Sequence, residues 1–160
     1  ELSLDWLHFE NSLSYVRGEL LAQPDSMSCL PFIPPMKYQS ELNAHLEKQF
    51  GPFTETYFSA AVAVYFKQDR IYNAYGTETA TPGYSLVEFG AGTQLVNKKG
   101  TTICRIYFSA SNLLNQKYQS HLSRLKYAPV NPVTGAQGIY GQGRNISVRL
   151  VIPVTFAQQR

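Results

Sequence analysis

The chain lacks the features that mark three common classes of protein. Charged residues make up only 16% of its 160 residues, against about a quarter in ordinary globular domains. Two cysteines, Cys29 and Cys104, are too few for a disulfide scaffold or a thiolate metal site. The most apolar stretch, residues 59–66, has the length of a strand and falls far short of the ~18 residues of a membrane helix. The sequence therefore does not predict a disulfide-rich domain, a cysteine metal site or a helical membrane protein.

Acidic residues are missing from the second part of the chain. Residues 1–88 contain all eleven acids and five basic residues, a net charge of −6. Residues 89–160 contain nine basic residues and no acid, a net charge of +9. Such an imbalance is typical of a surface that meets an anionic partner. The sequence leaves open the alternative that this part faces acidic surfaces elsewhere in a larger protein.

Alternation of apolar and polar residues is the strongest pattern present. Near the C-terminus every second residue is apolar: Ile146, Val148, Leu150, Ile152, Val154 and Phe156. The same period of two recurs in the segments 36–48, 54–68, 84–96 and 101–114, and it indicates strands with one face in an apolar medium. The segment 4–17 is also strand-like, but its two faces are mixed, so its orientation is assigned only weakly.

These segments predict an all-β chain, an antiparallel up-and-down meander of six strands. Each is expected to have roughly 12 to 15 residues, longer than the 5 or 6 usual in globular sheets. Long connections, 18–35, 69–83 and 115–143, alternate with short ones, 50–53 and 97–100, a sorting typical of outer-membrane barrels. A soluble barrel would carry dense charge on its outer face, whereas here the polar positions are mostly uncharged. The sequence therefore predicts a segment of a transmembrane β-barrel.

Five segments resemble, in order, the C-terminal barrel region of TonB-dependent outer-membrane receptors of Bacteroides type. They are "SYVRGEL", "LPFIPPMKYQSEL", "TATPGYSLVEFGAG", "SASNLLNQKYQSHLSRLKY" and "GRNISVRLVIPVTF". The most specific features are Asn112 and Leu113 with Tyr118, the "HLSR" that follows, and the "GRN" before a last strand ending in an aromatic residue. The resemblance covers nearly the whole chain. It implies that residues 1–160 are the C-terminal part of a receptor barrel whose plug domain is not included.

The resemblance implies a barrel of ~22 strands around an N-terminal plug, in the outer membrane of a Gram-negative bacterium. Such receptors import siderophore-bound iron, other metal chelates, vitamins or glycans, and the TonB complex supplies the energy through the plug. Phe156 resembles the terminal aromatic residue that the outer-membrane insertion machinery recognises. The implied partners are therefore the TonB complex, that machinery, membrane lipid and a small-molecule or metal-chelate ligand. Nucleic acid is not expected.

The loop at 115–143 contains the candidate ligand-binding residues. Lys117, His121, Arg124 and Lys126 occur there without any acid, so the loop is expected to help capture an anionic chelate by electrostatic steering. The alternative is a structural role, in which the Arg and His side chains bond neighbouring loops.

The other candidate sites have weaker support. His8, His45 and His121 do not have metal-ligand spacing, so we expect no metal site. No nucleophile elbow or carboxylate pair is visible, so we expect no catalytic residues, no cofactor and no enzymatic activity. A second possible function is a soluble or surface β-module that binds an apolar ligand or an anionic polymer.

The missing barrel neighbours lead to a prediction about the chain by itself. The first and last strands would each lack a partner, and the apolar face would exceed what a soluble monomer tolerates. We therefore expect the isolated chain either to associate through its edges and faces or to curl until its apolar face turns inward. Cys29 and Cys104 are expected at opposite ends of the strands, too far apart for a disulfide.

Overall fold

The computed structural model describes residues 5–24, 27–46 and 48–154, and these form one all-β unit. Six strands make a single antiparallel sheet in the order β1-β2-β3-β4-β5-β6: β1 Leu7–Ser14, β2 Lys37–Leu46, β3 Phe53–Tyr65, β4 Tyr84–Val96, β5 Thr102–Ser111 and β6 Asn145–Val151. Short 3₁₀ turns occur at Ala74–Gly76 and Arg124–Tyr127. Within the described ranges no helix is long and apolar enough to cross a membrane. The predicted all-β up-and-down meander is confirmed.

Four of the strands are shorter than the sequence pattern predicts. β3 and β4 have 13 residues each, but β2 and β5 have 10, β1 has 8 and β6 has 7. β5 ends where Asn112 adopts a left-handed backbone conformation with φ 47°, which cannot continue a strand. β6 ends two residues before Pro153, whose ring nitrogen has no hydrogen to donate.

The strand register collects the apolar side chains on one face of the sheet. Directly opposed residues in antiparallel strands point to the same side, and one such row crosses all six strands: Phe9, Leu42, Ala60, Phe89, Ala110 and Ile146. The pairing also settles the orientation of β1, since Leu7, Phe9 and Leu13 face Ala44, Leu42 and Tyr38. We call this side the apolar face and the other side the polar face.

The charged strand residues that have a partner in the ladders lie on the polar face. They are Glu10, Lys37, Glu41, Glu88, Arg105 and Arg149. Each of them alternates with residues of the apolar face along its own strand, which is the arrangement that the period of two predicts.

The apolar face is uncovered in this chain. Val148 is 70% exposed and Phe9 is 66% exposed. Among the described residues, neither a helix nor a second sheet covers this face. The accessible surface is 11954 Å², against about 8,000 Å² expected from the scaling for a compact monomer of this mass. The chain therefore does not curl until its apolar face turns inward, and that expectation was wrong. Association through edges and faces stays a prediction.

Polar groups on the apolar face bond to one another. The Tyr38 hydroxyl donates to Asn11 Oδ1 over 2.6 Å, and the hydroxyls of Thr56 and Thr93 lie 2.8 Å apart. Cross-strand pairs of this kind reduce the cost of placing polar atoms in an apolar medium.

Candidate functional site

The three long loops leave the sheet at the same end. Loops 15–36, 66–83 and 112–144 connect successive strand pairs there, whereas the short turns 48–52 and 97–101 lie at the opposite end. The predicted alternation of long and short connections is therefore present. All the buried polar residues among those that the structure describes belong to these loops rather than to the strands: Gln68, Glu78, Thr81, Asn112, His121 and Lys126.

Gln68 joins the second loop to the first. Its side-chain Nε2 donates to the carbonyl oxygens of Ile33 at 3.0 Å and Pro34 at 3.3 Å. Its backbone exchanges two hydrogen bonds with Thr81, at 3.0 and 2.9 Å. These bonds hold the beginning and end of loop 66–83 together beside loop 15–36.

The Glu78 carboxylate connects all three loops. The side chain is fully buried. Oε1 accepts the Phe32 backbone N–H at 3.0 Å from the first loop, and lies 2.7 Å from His121 Nε2 in the third. Oε2 accepts the Tyr72 N–H at 2.9 Å from its own loop. A buried carboxylate must be compensated by donors, and here those donors come from three separate segments.

A hydrogen-bonded chain continues from His121 to Lys126. His121 Nδ1 lies 2.9 Å from the Thr81 hydroxyl, and that hydroxyl oxygen accepts from Lys126 Nζ at 3.1 Å. Lys126 Nζ also donates to the Thr79 carbonyl at 3.0 Å. We call Glu78, Thr81, His121 and Lys126 the loop cluster.

The donors and acceptors of the loop cluster fit a neutral His121 ring. The Glu78 carboxylate can only accept, so we assign the ring hydrogen to Nε2; Nδ1 then accepts from the Thr81 hydroxyl. Burial lowers the pKa of His121 below its ordinary value, and the nearby Lys126 ammonium lowers it further, while Glu78 acts in the opposite direction. The desolvation of a charged ring therefore outweighs its attraction to the carboxylate.

The structure separates the four predicted ligand-binding residues into two pairs. His121 and Lys126 are buried within the loop cluster, 1% and 7% exposed, and their polar atoms bond to other parts of this chain. Lys117 and Arg124 lie exposed on the same loop, and the Arg124 guanidinium carbon is 5.9 Å from the centre of the Phe32 ring. Capture of an anionic ligand by this loop stays a prediction, and only Lys117 and Arg124 are positioned to meet a ligand from solution.

Sequence reasoning missed Glu78 and Thr81. A lone acid between two threonines, in "TETATPG", has no motif that distinguishes it from a solvated loop residue. The available signal was the charge imbalance of the chain. The third loop has no acid of its own, so its buried cation and histidine need an acidic partner from the first 88 residues.

A stack of tyrosines joins the third loop to the polar face. The rings of Tyr65 and Tyr84 stack with centroids 4.5 Å apart, and Tyr84 stacks on Tyr118 at 4.6 Å. The backbone passes so close to Tyr118 at Gly141 that a Cβ there would lie 2.3 Å from the ring, so only glycine fits.

The polar face carries a row of rings and cations nearer the short turns. His45, Tyr57, Gly92, Tyr107 and Arg149 are successive partners across β2 to β6. A Cβ at Gly92 would lie 2.3 Å from the Tyr57 ring, so that ring rests on the backbone of β4. The Arg149 guanidinium lies 4.6 Å from the Tyr107 ring centre, a cation–π contact. Part of this row borders a cleft of about 420 Å³ that also contains Arg105.

The described ranges contain neither a clustered metal site nor a disulfide. No group of three or more His, Cys, Asp or Glu side chains is arranged there to hold a metal ion. Cys29, in the first loop, and Cys104, near the short-turn end of β5, are both free. Phe156, the predicted assembly signal, lies outside the described residues.

Comparison of this chain with protein-family models, with curated proteins and with solved structures found no match in any of the three.

Proposed function

We propose that this chain is part of the wall of an outer-membrane active-transport receptor that imports a scarce nutrient, an iron–siderophore complex or another metal chelate, with energy from TonB. One observation carries the proposal: an uncovered apolar face crosses all six strands while the ladder-paired charges lie on the other face. Water is a poor solvent for such a face, whereas lipid hydrocarbon covers it without cost.

The dimensions and the loops support a membrane-spanning sheet. β2 to β5 have 10 to 13 residues, which meets the ~9 to 11 residues that a tilted strand needs to cross a bilayer. Long connections at one end and short turns at the other are the pattern of extracellular loops and periplasmic turns. In this proposal the polar face, with its row of rings and cations, lines the barrel interior.

The proposal names partners for the exposed parts of the chain. Other strands of the same barrel pair with the free edges of β1 and β6, and lipid covers the apolar face. The insertion machinery recognises Phe156, and the TonB complex acts through a plug domain. Lys117 and Arg124 contribute positive charge to capture of an anionic chelate. The protein has no catalytic step, resident cofactor or nucleic-acid partner in this scheme.

Two arginine substitutions in β6 test the proposal. Val148 is on the apolar face opposite Phe108, and Val151 is on the polar face opposite Arg105. In the intact protein, Val148→Arg should impair membrane assembly severely, since an arginine facing lipid at the midplane costs ~2 to 4 kcal/mol. Val151→Arg should assemble nearly as well as the unsubstituted protein. Heat-modifiable migration of folded barrel in isolated outer membranes measures assembly.

Two outcomes would overturn the proposal. Equal loss of assembly for the two variants would mean that the apolar face does not meet lipid. Recovery of the unsubstituted protein in the soluble fraction would favour a soluble or surface module whose apolar face is covered by protein or by an apolar ligand.

A further inference from the structure

The loop cluster forms a hydrogen-bonded chain with one direction. Lys126 Nζ donates to the Thr81 oxygen, the Thr81 hydroxyl donates to His121 Nδ1, and His121 Nε2 donates to Glu78. Each link uses one hydrogen, and a second hydrogen on the His121 ring would occupy Nδ1 and leave the Thr81 hydroxyl hydrogen without its acceptor. Among the described residues, no buried side-chain nitrogen or oxygen lacks a partner.

Burial and one neighbouring charge oppose a proton on the His121 ring. Glu78 from the second loop and Lys126 from the third are the charged groups that face it, and they shift its pKa in opposite directions. The first loop presents the Phe32 N–H to Glu78 rather than an acid. The other charged groups nearby are engaged elsewhere or exposed: Arg17 and Arg70 bond Glu19, Lys67 bonds Asp69, and Arg124 lies over Phe32. A protonated ring would therefore place a second buried cation near Lys126, and the two cations would share the single Glu78 carboxylate.

We propose that the loop cluster is an acid-released latch, which holds the third long loop against the second at neutral pH and lets it separate when His121 takes up a proton. Glu78 and His121 are its positioning residues, because the bonds from Glu78 reach every loop. Arg124 is three residues from His121 on the third loop and lies over the ring of Phe32 in the first. Release would therefore also separate the Arg124 guanidinium from the Phe32 ring.

The sign of the pH dependence follows from burial. The pKa of His121 in the closed loops is below its ordinary value because of desolvation and Lys126, whereas in opened loops the ring is solvated. Opening therefore takes up a proton, and closed loops are favoured above the ordinary histidine pKa. As the pH falls below that value, the ratio of open to closed loops rises, by at most about tenfold per pH unit.

Hydrogen–deuterium exchange of the intact protein in its membrane environment tests the latch. Exchange would be measured at about pH 7.5 and about pH 5.5, on either side of the ordinary histidine pKa, with labelling times scaled to the intrinsic exchange rate at each pH. Peptides covering 70–81 and 119–128 should open several-fold more at the lower pH. Peptides from β3 and β4 should show no such change, and they serve as the internal control.

The pH dependence, rather than the amount of opening, distinguishes a latch from a merely structural contact. In His121→Gln the loops should open more at both pH values, but the difference between the two should disappear. Lys126→Met should reduce that difference, because it removes the cation that opposes protonation. An unchanged loop opening across pH in the unsubstituted protein, or a pH dependence that survives in His121→Gln, would overturn the proposal.

A direct measurement on the unsubstituted protein keeps the proposal testable if the variants fail to fold. Nitrogen-15 spectra of histidine-labelled protein report the tautomer and charge of each ring. We expect His121 to be neutral with its hydrogen on Nε2 at about pH 7.5, and to become charged only as the loop peptides begin to open. A ring that is already charged while the loops are closed would refute the latch. These results do not depend on transport, so they are separable from the test of the proposed function.

Discussion

The strands of this chain expose large apolar side chains, whereas its long loops bury polar and charged ones. In the strands, large apolar residues such as Phe9, Leu150 and Val148 are more than half exposed. In the loops, Glu78, Thr81, His121 and Lys126 are almost wholly buried. A water-soluble domain has the reverse distribution, with apolar side chains inside and charged ones outside. The buried polar side chains of the loops thus find their partners within the chain, whereas nothing among the described residues covers the apolar face of the sheet.

The loop cluster and the sheet also differ in how their hydrogen-bonding groups are satisfied. The loop cluster has compensated buried charge and a hydrogen bond at every step, as a low-dielectric environment requires. The sheet satisfies its interior backbone groups through ladders to neighbouring strands, but the outer edges of β1 and β6 have no partner strand among the described residues. The loop region is therefore sensitive to the loss of single polar groups, and the sheet is sensitive to the medium that surrounds it.

The largest effect is expected from removing the carboxylate at the centre of the loops. Glu78→Ala leaves two backbone N–H groups and His121 without their acceptor. We expect the free energy of opening the loops to fall by about 3 kcal/mol or more, because buried donors lose a charged partner. Hydrogen exchange of the loop peptides measures it. The matched control is Glu88→Ala, an exposed acid of β4, with an expected change below about 0.5 kcal/mol. Similar losses in both variants would contradict the contrast between loops and strands.

An intermediate effect is expected from adding a methyl group where the third loop turns back. Gly138 has φ +73°, and a Cβ there would lie 2.3 Å from the Lys126 carbonyl oxygen. Gly138→Ala should destabilise the loop by about 2 kcal/mol, the sum of left-handed backbone strain and the displacement of Lys126.

Gly135→Ala separates the two causes of that loss. Gly135 has a similar φ of +69° but nothing within 4 Å of its Cβ position. The loss of loop stability in Gly135→Ala should therefore stay near the ~1 kcal/mol of backbone strain alone. Loop exchange rates in both variants provide the comparison. Equal effects would mean that contact with the loop cluster adds nothing.

The smallest effect is expected for a hydrogen bond on the apolar face. The strength of that bond depends on whether lipid or water surrounds the face. Tyr38→Phe and Asn11→Leu, alone and together, form a double-mutant cycle on the 2.6 Å hydrogen bond between these residues. Against lipid the coupling should be about 0.6 kcal/mol, as for interhelical bonds in membranes. In water an exposed pair of this kind should couple by close to zero. Unfolding in lipid bilayers provides the measurement, and zero coupling there would argue against a lipid-facing surface.

The fold was predictable because its signal is local. The strands in residues 146–154 and in the four segments before it can be recognised from the two-residue period of apolar side chains alone. The lengths of the connections indicated which strand ends lie at the same end of the sheet. The orientation of β1 was not predictable, since Asn11 interrupts its apolar positions. Pairing with β2 decided it, because Leu7, Phe9 and Leu13 then join an apolar face that already exists.

The site was predictable only in part. The sequence selected His121 and Lys126 by their charge and their loop, yet it could not distinguish an exposed cation from a buried one. That distinction depends on Glu78, which is 43 residues from His121 along the chain, and no spacing rule connects two irregular loops over such a distance.

The sequence by itself determined the presence of six strands, their up-and-down order and, in β2 to β6, the separation of an apolar from a polar face, because these follow from side-chain alternation and connection length. Only the tertiary structure decided which loop residues are buried and which face solvent. The physical reason is that a buried charge is stable only where donors from distant segments converge on it. Here Phe32, Tyr72 and His121 converge on Glu78 once the sheet has brought the three loops to one end.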